Sequence, residues 1–292
     1  FLEYARTVSS LSLRYSPLIQ EIWLGSRPIP NRCFSNLNSL TVDQCEFLSD
    51  VVLPFFLLPF LTNLQKLQVW YCGSVKSIFD VKCITQEREI TTMGLGAAPF
   101  PLPFALKELT LSDLRKLENV WNEDLEKLVV KDCEGLMETC TVSFSNLTYL
   151  RVQRCDCLLY LFTSSIAKSL TRLKRMEIEC CNSTEEIISK EGDESRENEI
   201  IFQQLNCLKL KGLRKLRSFY RGSLLSLPSL EELSVIDCDW METLCPGTLK
   251  ADKLLQVKLE EWYDFNLRKW RSDAIKLENN LNSTMREAFR AK

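Results

Sequence analysis

The twelve residues FSNLNSLTVDQC at 34–45 recur as FSNLTYLRVQRC at 144–155, with seven of the twelve identical. A chain that writes the same phrase 110 residues apart is assembled from units. The phrase contains the register L-x-x-L-x-L-x-x-C, which returns as LQKLQVWYC (64–72), LEKLVVKDC (125–133), LKRMEIECC (173–181) and LEELSVIDC (230–238). Three variants replace the last cysteine: LKELTLSDL (106–114), LNCLKLKGL (205–213) and LLQVKLEEW (254–262). VSSLSLRYS (8–16) is a weaker tenth copy. Successive copies start 29, 27, 42, 19, 22, 26, 32, 25 and 24 residues apart.

Most of these spacings lie in the range of roughly 20–29 residues that defines leucine-rich repeats. The alternating x-L-x-L-x centre is a short strand with one buried face. One such strand cannot bury its leucines alone, so copies must stack. The expected fold is an α/β leucine-rich-repeat solenoid. A curved parallel β-sheet forms its concave face, and irregular or short helical returns form the convex one. The return after 155 carries Leu158, Leu161 and Phe162, and SIAKSLTRL (165–173) reads as a short helix. About ten irregular repeats occupy 1–262, with loop insertions near 80–103 and 185–200. The first insertion ends in GLGAAPFPLPF, where Gly and Pro mark irregular chain. The second holds seven acids against Lys190 and Arg196 and reads as solvated. In the tail, 263–292, Leu277, Leu281, Met285 and Phe289 recur every four residues, with Ala274 and Ala288 beside them. That stripe predicts a C-terminal helix capping the last repeat.

The ninth position explains why the unit ends on cysteine. The chain turns inward there, and the side chain meets turn backbone. A thiol is small enough to bury and still a weak donor. Cys45, Cys72, Cys133, Cys155, Cys181 and Cys238 are therefore read as a structural ladder. The chain has 13 cysteines and no histidine. Lacking histidine, it lacks the commonest general base and metal ligand, and Ser-His and Cys-His nucleophile pairs are excluded. Cys155-x-Cys157 and Cys180-Cys181 lack the paired C-x-x-C spacing of zinc sites, and Cys155 and Cys181 already have ladder positions. Glu185-Glu186 lies at the edge of a charged stretch and reads as surface, not as an acid/base pair. The sequons at Asn146, Asn182 and Asn282 read as chance matches, because buried thiols fit a reducing compartment. Net charge is -2, which gives no global footprint for nucleic acid. The longest apolar run, VVLPFFLLPFL (51–61), is too short for a membrane span and holds Pro54 and Pro59. The first stretch lacks the basic-then-apolar signature of a signal peptide. The expected location is cytoplasmic.

Motif positions three, five and seven face outward from the strands. They carry Lys66, Gln68, Trp70; Lys127, Val129, Lys131; Tyr149, Arg151, Gln153; Arg175, Glu177, Glu179; and Cys207, Lys209, Lys211. Trp70, Lys127, Lys131, Tyr149, Arg151, Arg175, Lys209 and Lys211 make this face the candidate partner-binding site, since Trp, Tyr and Arg are favoured anchors. Arg151 and Arg175 are expected to point to solvent, with an acidic partner as their complement.

Several segments together resemble the C-terminal leucine-rich-repeat region of plant intracellular disease-resistance receptors, the coiled-coil, nucleotide-binding subclass. They are the F-x-x-L-x-x-L-x-V-x-x-C units at 34–45 and 144–155, EEIISKEG leading into IIFQQLNCLKLKGLRKLRSF (200–219), LPSLEELSVIDC (227–238) and NLNSTMREAF (280–289). The resemblance spans nearly the whole chain. It implies a non-catalytic module that recognises a pathogen effector or a host guard target, or holds the receptor's own nucleotide-binding domain at rest. It also implies ATP or ADP on an upstream domain only. This chain has no G-x-x-x-x-G-K-[ST] and no cofactor site of its own, so it reads as a fragment or truncated product with the sensing and restraining part. Two other classes compete. A ubiquitin-ligase substrate adaptor would need an F-box-like segment before the repeats. An extracellular receptor would need a signal peptide and paired capping cysteines.

Overall fold

Alternation decides the local structure. In the L-x-L centres, side chains point to opposite faces of an extended chain, and the leucine face is buried in every copy. The structure, a computed structural model, describes residues 6–14, 17–30, 32–79, 106–118, 120, 125–136, 144–190, 199–264, 269–276 and 283. Nine centres form five-residue strands: β1 Ser10–Arg14, β2 Ser39–Asp43, β3 Lys66–Trp70, β4 Glu108–Ser112, β5 Lys127–Lys131, β6 Tyr149–Gln153, β7 Arg175–Glu179, β8 Cys207–Lys211 and β9 Glu232–Ile236. The tenth is the nine-residue β10 Gln256–Asp264, followed by β11 Lys269–Lys276. They form one eleven-stranded sheet in chain order. β1 to β10 run parallel, with motif position facing motif position. One row therefore runs Leu11, Leu40, Leu67, Leu109, Leu128, Leu150, Met176, Leu208, Leu233, Val257. All ten are buried, so the apolar row is continuous from repeat to repeat.

Two backbone ladders join the repeats. At the strand start, two successive N–H groups donate to one carbonyl of the preceding repeat. Gln65 and Lys66 both reach the Asn38 carbonyl at 2.9 Å. At the strand end, the eighth residue takes a left-handed backbone, as at Gln44, Tyr71, Asp113, Asp132, Arg154, Cys180, Gly212 and Asp237. Its N–H then donates to the seventh-position carbonyl of the next repeat, as from Asp132 to Gln153 at 3.0 Å and from Cys180 to Lys211 at 2.7 Å. The eighth position thus needs φ > 0, which favours Asp, Asn and Gly. Aspartate and glycine do fill four of these eight sites, a signal the ninth-position cysteine overshadows in the sequence.

The FSNL half of the recurring phrase is the turn into the strand. The N–H of Leu37 donates to the Phe34 carbonyl at 2.9 Å, and Leu147 repeats the bond to Phe144 at 3.4 Å. Both phenylalanines are buried. The returns carry shorter parallel pairings. Phe162–Thr163, Glu186–Ser189 and Ser218–Tyr220 form one three-stranded sheet, Glu199–Ile201, Leu224–Ser226 and Thr248–Lys250 a second, and Val51–Leu53 pairs with Ser77–Phe79. Two short helices, α1 Pro17–Trp23 and α2 Ser164–Ser169, and a 3₁₀ turn at Phe55–Phe60 complete the described returns.

Two expectations change. The acidic segment 185–200 is not loop throughout: Glu186–Ser189 and Glu199–Ile201 are strands, with Ile187, Ile188 and Ile200 fully buried. Three isoleucines outweigh the flanking charges, because each finds a slot between return strands. Residues 191–198 lie outside the described residues, as does the insertion near 80–103.

The second change is at the C-terminal end. Instead of a helix directly after Trp262, β10 runs on to Asp264 and pairs antiparallel with β11, with a register shift between Lys258 and Glu260. The inward turn needs a residue with φ > 0 and a carbonyl from a following repeat. Among the described residues, the copy LLQVKLEEW shows neither, and its Trp262 with the following Tyr263 favours extended chain. The hairpin pairs a sheet edge that would otherwise stand open. Ala274, expected beside the helical stripe, lies in β11 opposite Lys258, and the stripe's Leu277, Leu281, Met285, Ala288 and Phe289 lie outside the described residues. Ending the chain at Asp264 should therefore speed amide hydrogen exchange across 256–264. Unchanged protection there would show that β11 contributes nothing to the edge.

Candidate functional site

The strands put motif positions three, five and seven on the open face of the sheet as three lateral rows. Across β5 to β8 the rows read Lys127–Tyr149–Arg175–Cys207, Val129–Arg151–Glu177–Lys209 and Lys131–Gln153–Glu179–Lys211. Trp70 lies in the third row, separated from Lys131 by Ser112 of β4. All eight residues of the candidate site are thus on this face.

The structure corrects their electrostatics. Glu177 and Glu179 are only 6% and 7% exposed, although both project from the open face. Neighbouring side chains cover and neutralise them. Arg151 Nη2 lies 3.3 Å from Glu179 Oε1, and its Nε lies 3.6 Å from Glu177 Oε2. Arg175 Nε donates to Glu177 Oε1 at 2.6 Å, and Lys209 Nζ lies 3.4 Å from Glu179 Oε1. The Tyr149 hydroxyl donates to Glu177 Oε2 at 3.1 Å, and Gln153 Nε2 donates to Glu179 Oε2 at 3.2 Å. Burial alone would raise the Glu177 pKa, but the hydrogen bonds from Arg175 and Tyr149 outweigh it and hold the carboxyl below its usual range. Arg151 and Arg175 are therefore not free cations awaiting an acidic partner, because their acids sit on the adjacent strand or the same one. The sequence placed Glu177 and Glu179 on this face. The pairing depends on register, which aligns Arg151 with Glu177 across β6 and β7.

The next strands continue the pattern. Lys258 Nζ lies 2.9 Å from Glu232 Oε1, and the Cys207 thiol donates to Glu232 Oε2 at 3.4 Å. Glu232 and Lys258 were not among the candidate residues, although their motif positions, three and five, put them on the face. Toward β1 the charges are sparser. Lys66 pairs loosely with Glu108 at 3.7 Å, and Arg14 lies 3.5 Å from Asp43. Lys127 stands 5.6 Å above the Tyr149 ring.

The six ladder cysteines are buried at one structural position. Each thiol donates back to the seventh-position carbonyl of its own repeat, at 3.5 Å in Cys45, 3.3 Å in Cys72, 3.2 Å in Cys133, 3.5 Å in Cys155, 3.5 Å in Cys181 and 3.4 Å in Cys238. From Cys72 to Cys238 that bond is a second donor to a carbonyl that already accepts a backbone N–H from the preceding repeat, as Gln153 does from Asp132 at 3.0 Å. No ladder cysteine is in a disulfide. Burial pushes the Cys181 thiol up to about 12, and burial with the Glu232 carboxylate pushes Cys207 up to about 11.

A raised thiol pKa favours the folded state fully below the unfolded value, about 8.5, and the advantage disappears as pH rises through the folded value. For Cys181 the loss amounts to about 1.4 kcal/mol per pH unit between the unfolded value and the folded one. The urea midpoint should therefore fall steadily from pH 8 to pH 10. A Cys181→Ser variant, starting lower, should show a shallower fall. Equal slopes would rule out Cys181 as a contributor.

The fold and the face can be set beside known families. The profile of the family described as "Plant disease resistance protein RPS2-like, leucine-rich repeats" matches residues 7–182 and, in a second match, 130–261. No curated protein is significantly similar to the chain. Among the described residues, no helix is long and apolar enough to cross a membrane. The family match covers β1 through most of β10, the same span over which the parallel strands repeat in register. The chain therefore belongs to the RPS2-like leucine-rich repeats of plant disease resistance proteins.

Proposed function

We propose that this chain is a non-catalytic protein-interaction module of a cytoplasmic plant immune receptor of the nucleotide-binding, leucine-rich-repeat type. Through the open face of its sheet it recognises a pathogen-derived or host protein, and at rest it restrains the receptor. ATP or ADP belongs to another domain of that receptor. The observation that best supports this reading is the face itself. Ten parallel strands repeat in register and hold Trp70, Lys127, Lys131, Tyr149 and Lys211 at fixed spacings on a continuous sheet. A rigid backbone reduces the ordering cost of binding, which suits it to recognition.

The test uses the full-length receptor. Alanine at Trp70, Lys127, Lys131 and Lys211 together should change resting or pathogen-triggered signalling. Alanine at Arg172, Lys190, Arg214 and Arg221, away from the open face, should change neither. Wild-type resting and triggered responses from the open-face variant, at equal protein level, would defeat the reading.

A further inference from the structure

The open face is divided in two by its charges. From β6 to β10 the acids Glu177, Glu179 and Glu232 are each met by Arg or Lys on the sheet. On β5 the pattern breaks. Lys127 is exposed and touches only the Tyr149 ring, and Lys131 has no ion pair, among the described residues. Between them on the same face sits Val129, an apolar residue in a row of polar ones, flanked by Thr110 and Arg151 and only 8% exposed. Trp70 lies two strands away in the Lys131 row and is half-buried.

We propose, building on the reading of this face as an interaction surface, that β5 and its neighbours dock an extended acidic segment of a partner protein. The segment presents a carboxylate, an apolar side chain and a second carboxylate at alternate positions, i, i+2 and i+4. The argument is geometric and electrostatic. Lys127, Val129 and Lys131 are themselves at i, i+2 and i+4 of a strand, about 13 Å from end to end at a rise of ~3.3 Å per residue. An extended segment lying over the sheet has the same period, so its two carboxylates reach both ammonium groups while its central side chain lies over the shallow, uncharged gap at Val129. Tyr149 and Trp70 border the site with aromatic surface, which stabilises partner contacts. The Arg151–Glu177–Glu179 region next to it offers no unmatched charge and forms the rigid border of the site.

The probe is a fluorescein-labelled peptide with the core Glu-Thr-Leu-Thr-Glu, titrated with the full chain and read by anisotropy at low salt. Saturable binding is expected, and it should weaken at least tenfold in Lys127→Glu/Lys131→Glu. A Gln-Thr-Leu-Thr-Gln peptide should bind at least tenfold more weakly than the acidic one. The charge-swapped peptide Lys-Thr-Leu-Thr-Lys should bind the double Glu variant better than it binds the original chain. Because both lysines lie on the solvent side, the variant should keep its urea midpoint. Lys127→Gln/Lys131→Gln serves as a second variant if the first does not fold, and it too should weaken binding. The proposal is overturned by an absence of saturable binding, by equal binding of the Gln peptide, or by binding unaffected in both double variants. A short RNA oligonucleotide binding the lysines more tightly than the acidic peptide would overturn it as well. If the peptide fails while the open-face alanine variant still alters receptor signalling, the acidic segment is wrong and the interaction module stands.

Discussion

Arg151→Glu should lower the stability of the chain by about 3 kcal/mol or more, whereas Lys131→Glu, on the adjacent strand of the same face, should leave it within about 0.5 kcal/mol. The two substitutions make the same charge change, and the difference lies in what each cation covers. Lys131 has no ion pair among the described residues. Arg151 lies against both Glu177 and Glu179, whose side chains are only 8% and 9% exposed. Removing one partner of a buried pair leaves an uncompensated charge, and placing a third carboxylate beside two more adds repulsion. The guanidinium itself is 31% exposed, which screens part of the interaction and keeps the expected loss toward the low end of the range for buried pairs. Glu177 also carries a pH signature. With its folded pKa depressed, its contribution is present above the unfolded value, about 4.3, and is lost as pH falls through the folded value. The part of the Arg151→Glu loss that comes from Glu177 should therefore fade as pH falls below the unfolded value and through the depressed folded value of Glu177. Replacing Arg151, Arg175, Glu177 and Glu179 together by methionine should cost far less than Arg151→Glu, because no buried carboxylate is left unpaired, and Lys209, which loses Glu179, is 30% exposed and reaches water. Urea midpoints for the single, control and fourfold variants decide the matter. Equal losses for Arg151→Glu and Lys131→Glu would show that the carboxylates draw their compensation from elsewhere.

Cys155→Asp should be among the most destabilising single changes in the chain, costing on the order of 3 kcal/mol or more. Cys155 is fully buried, its thiol donates to the Gln153 carbonyl at 3.5 Å, and the Cys133 thiol is its neighbour in the ladder. An ionised aspartate there sets its oxygens against the Gln153 carbonyl, which already accepts from the Asp132 N–H at 3.0 Å, and it has no cation within the ladder to pair with. Cys155→Asn retains a donor for the same carbonyl and should cost clearly less, despite its greater volume. Cys155→Ala loses the hydrogen bond and leaves a small void, an effect of about 1–2 kcal/mol. The order Ala and Asn above Asp in melting temperature is the expected result. Equal melting temperatures for Asp and Asn would mean that the site opens to water. The Cys140→Ser control removes a thiol outside the repeat motif, at a position outside the described residues.

The sequence was sufficient wherever the physics is periodic. Leucine at every second position and a cysteine at the ninth specify a half-buried strand and an inward turn, and near-regular spacing specifies that ten such strands stack. That reasoning located Leu40, Leu150 and Leu208 in one buried row and the six cysteines at one turn. It also placed Trp70, Lys127, Arg151 and Arg175 on the open face, because alternation alone determines which side a strand residue occupies. Three things depended on tertiary structure. Register set Arg151 beside Glu177 and Glu179, turning what reads as a cationic cluster into a closed ion network. Two acids 26 and 28 residues from their partner are adjacent only after the repeats stack. Slots between return strands made Ile187, Ile188 and Ile200 core residues within an acidic stretch, since burial there depends on neighbours that composition does not show. The end of the stack is different again. The inward turns from Gln44 to Gly212 each donate an N–H to a carbonyl of the repeat that follows, and among the described residues no parallel repeat follows β10 in the sheet to accept one. The chain there remains extended and folds back as β11. A repeat motif describes the interior of a stack, where every unit has two like neighbours, and loses its hold at the unit that has only one.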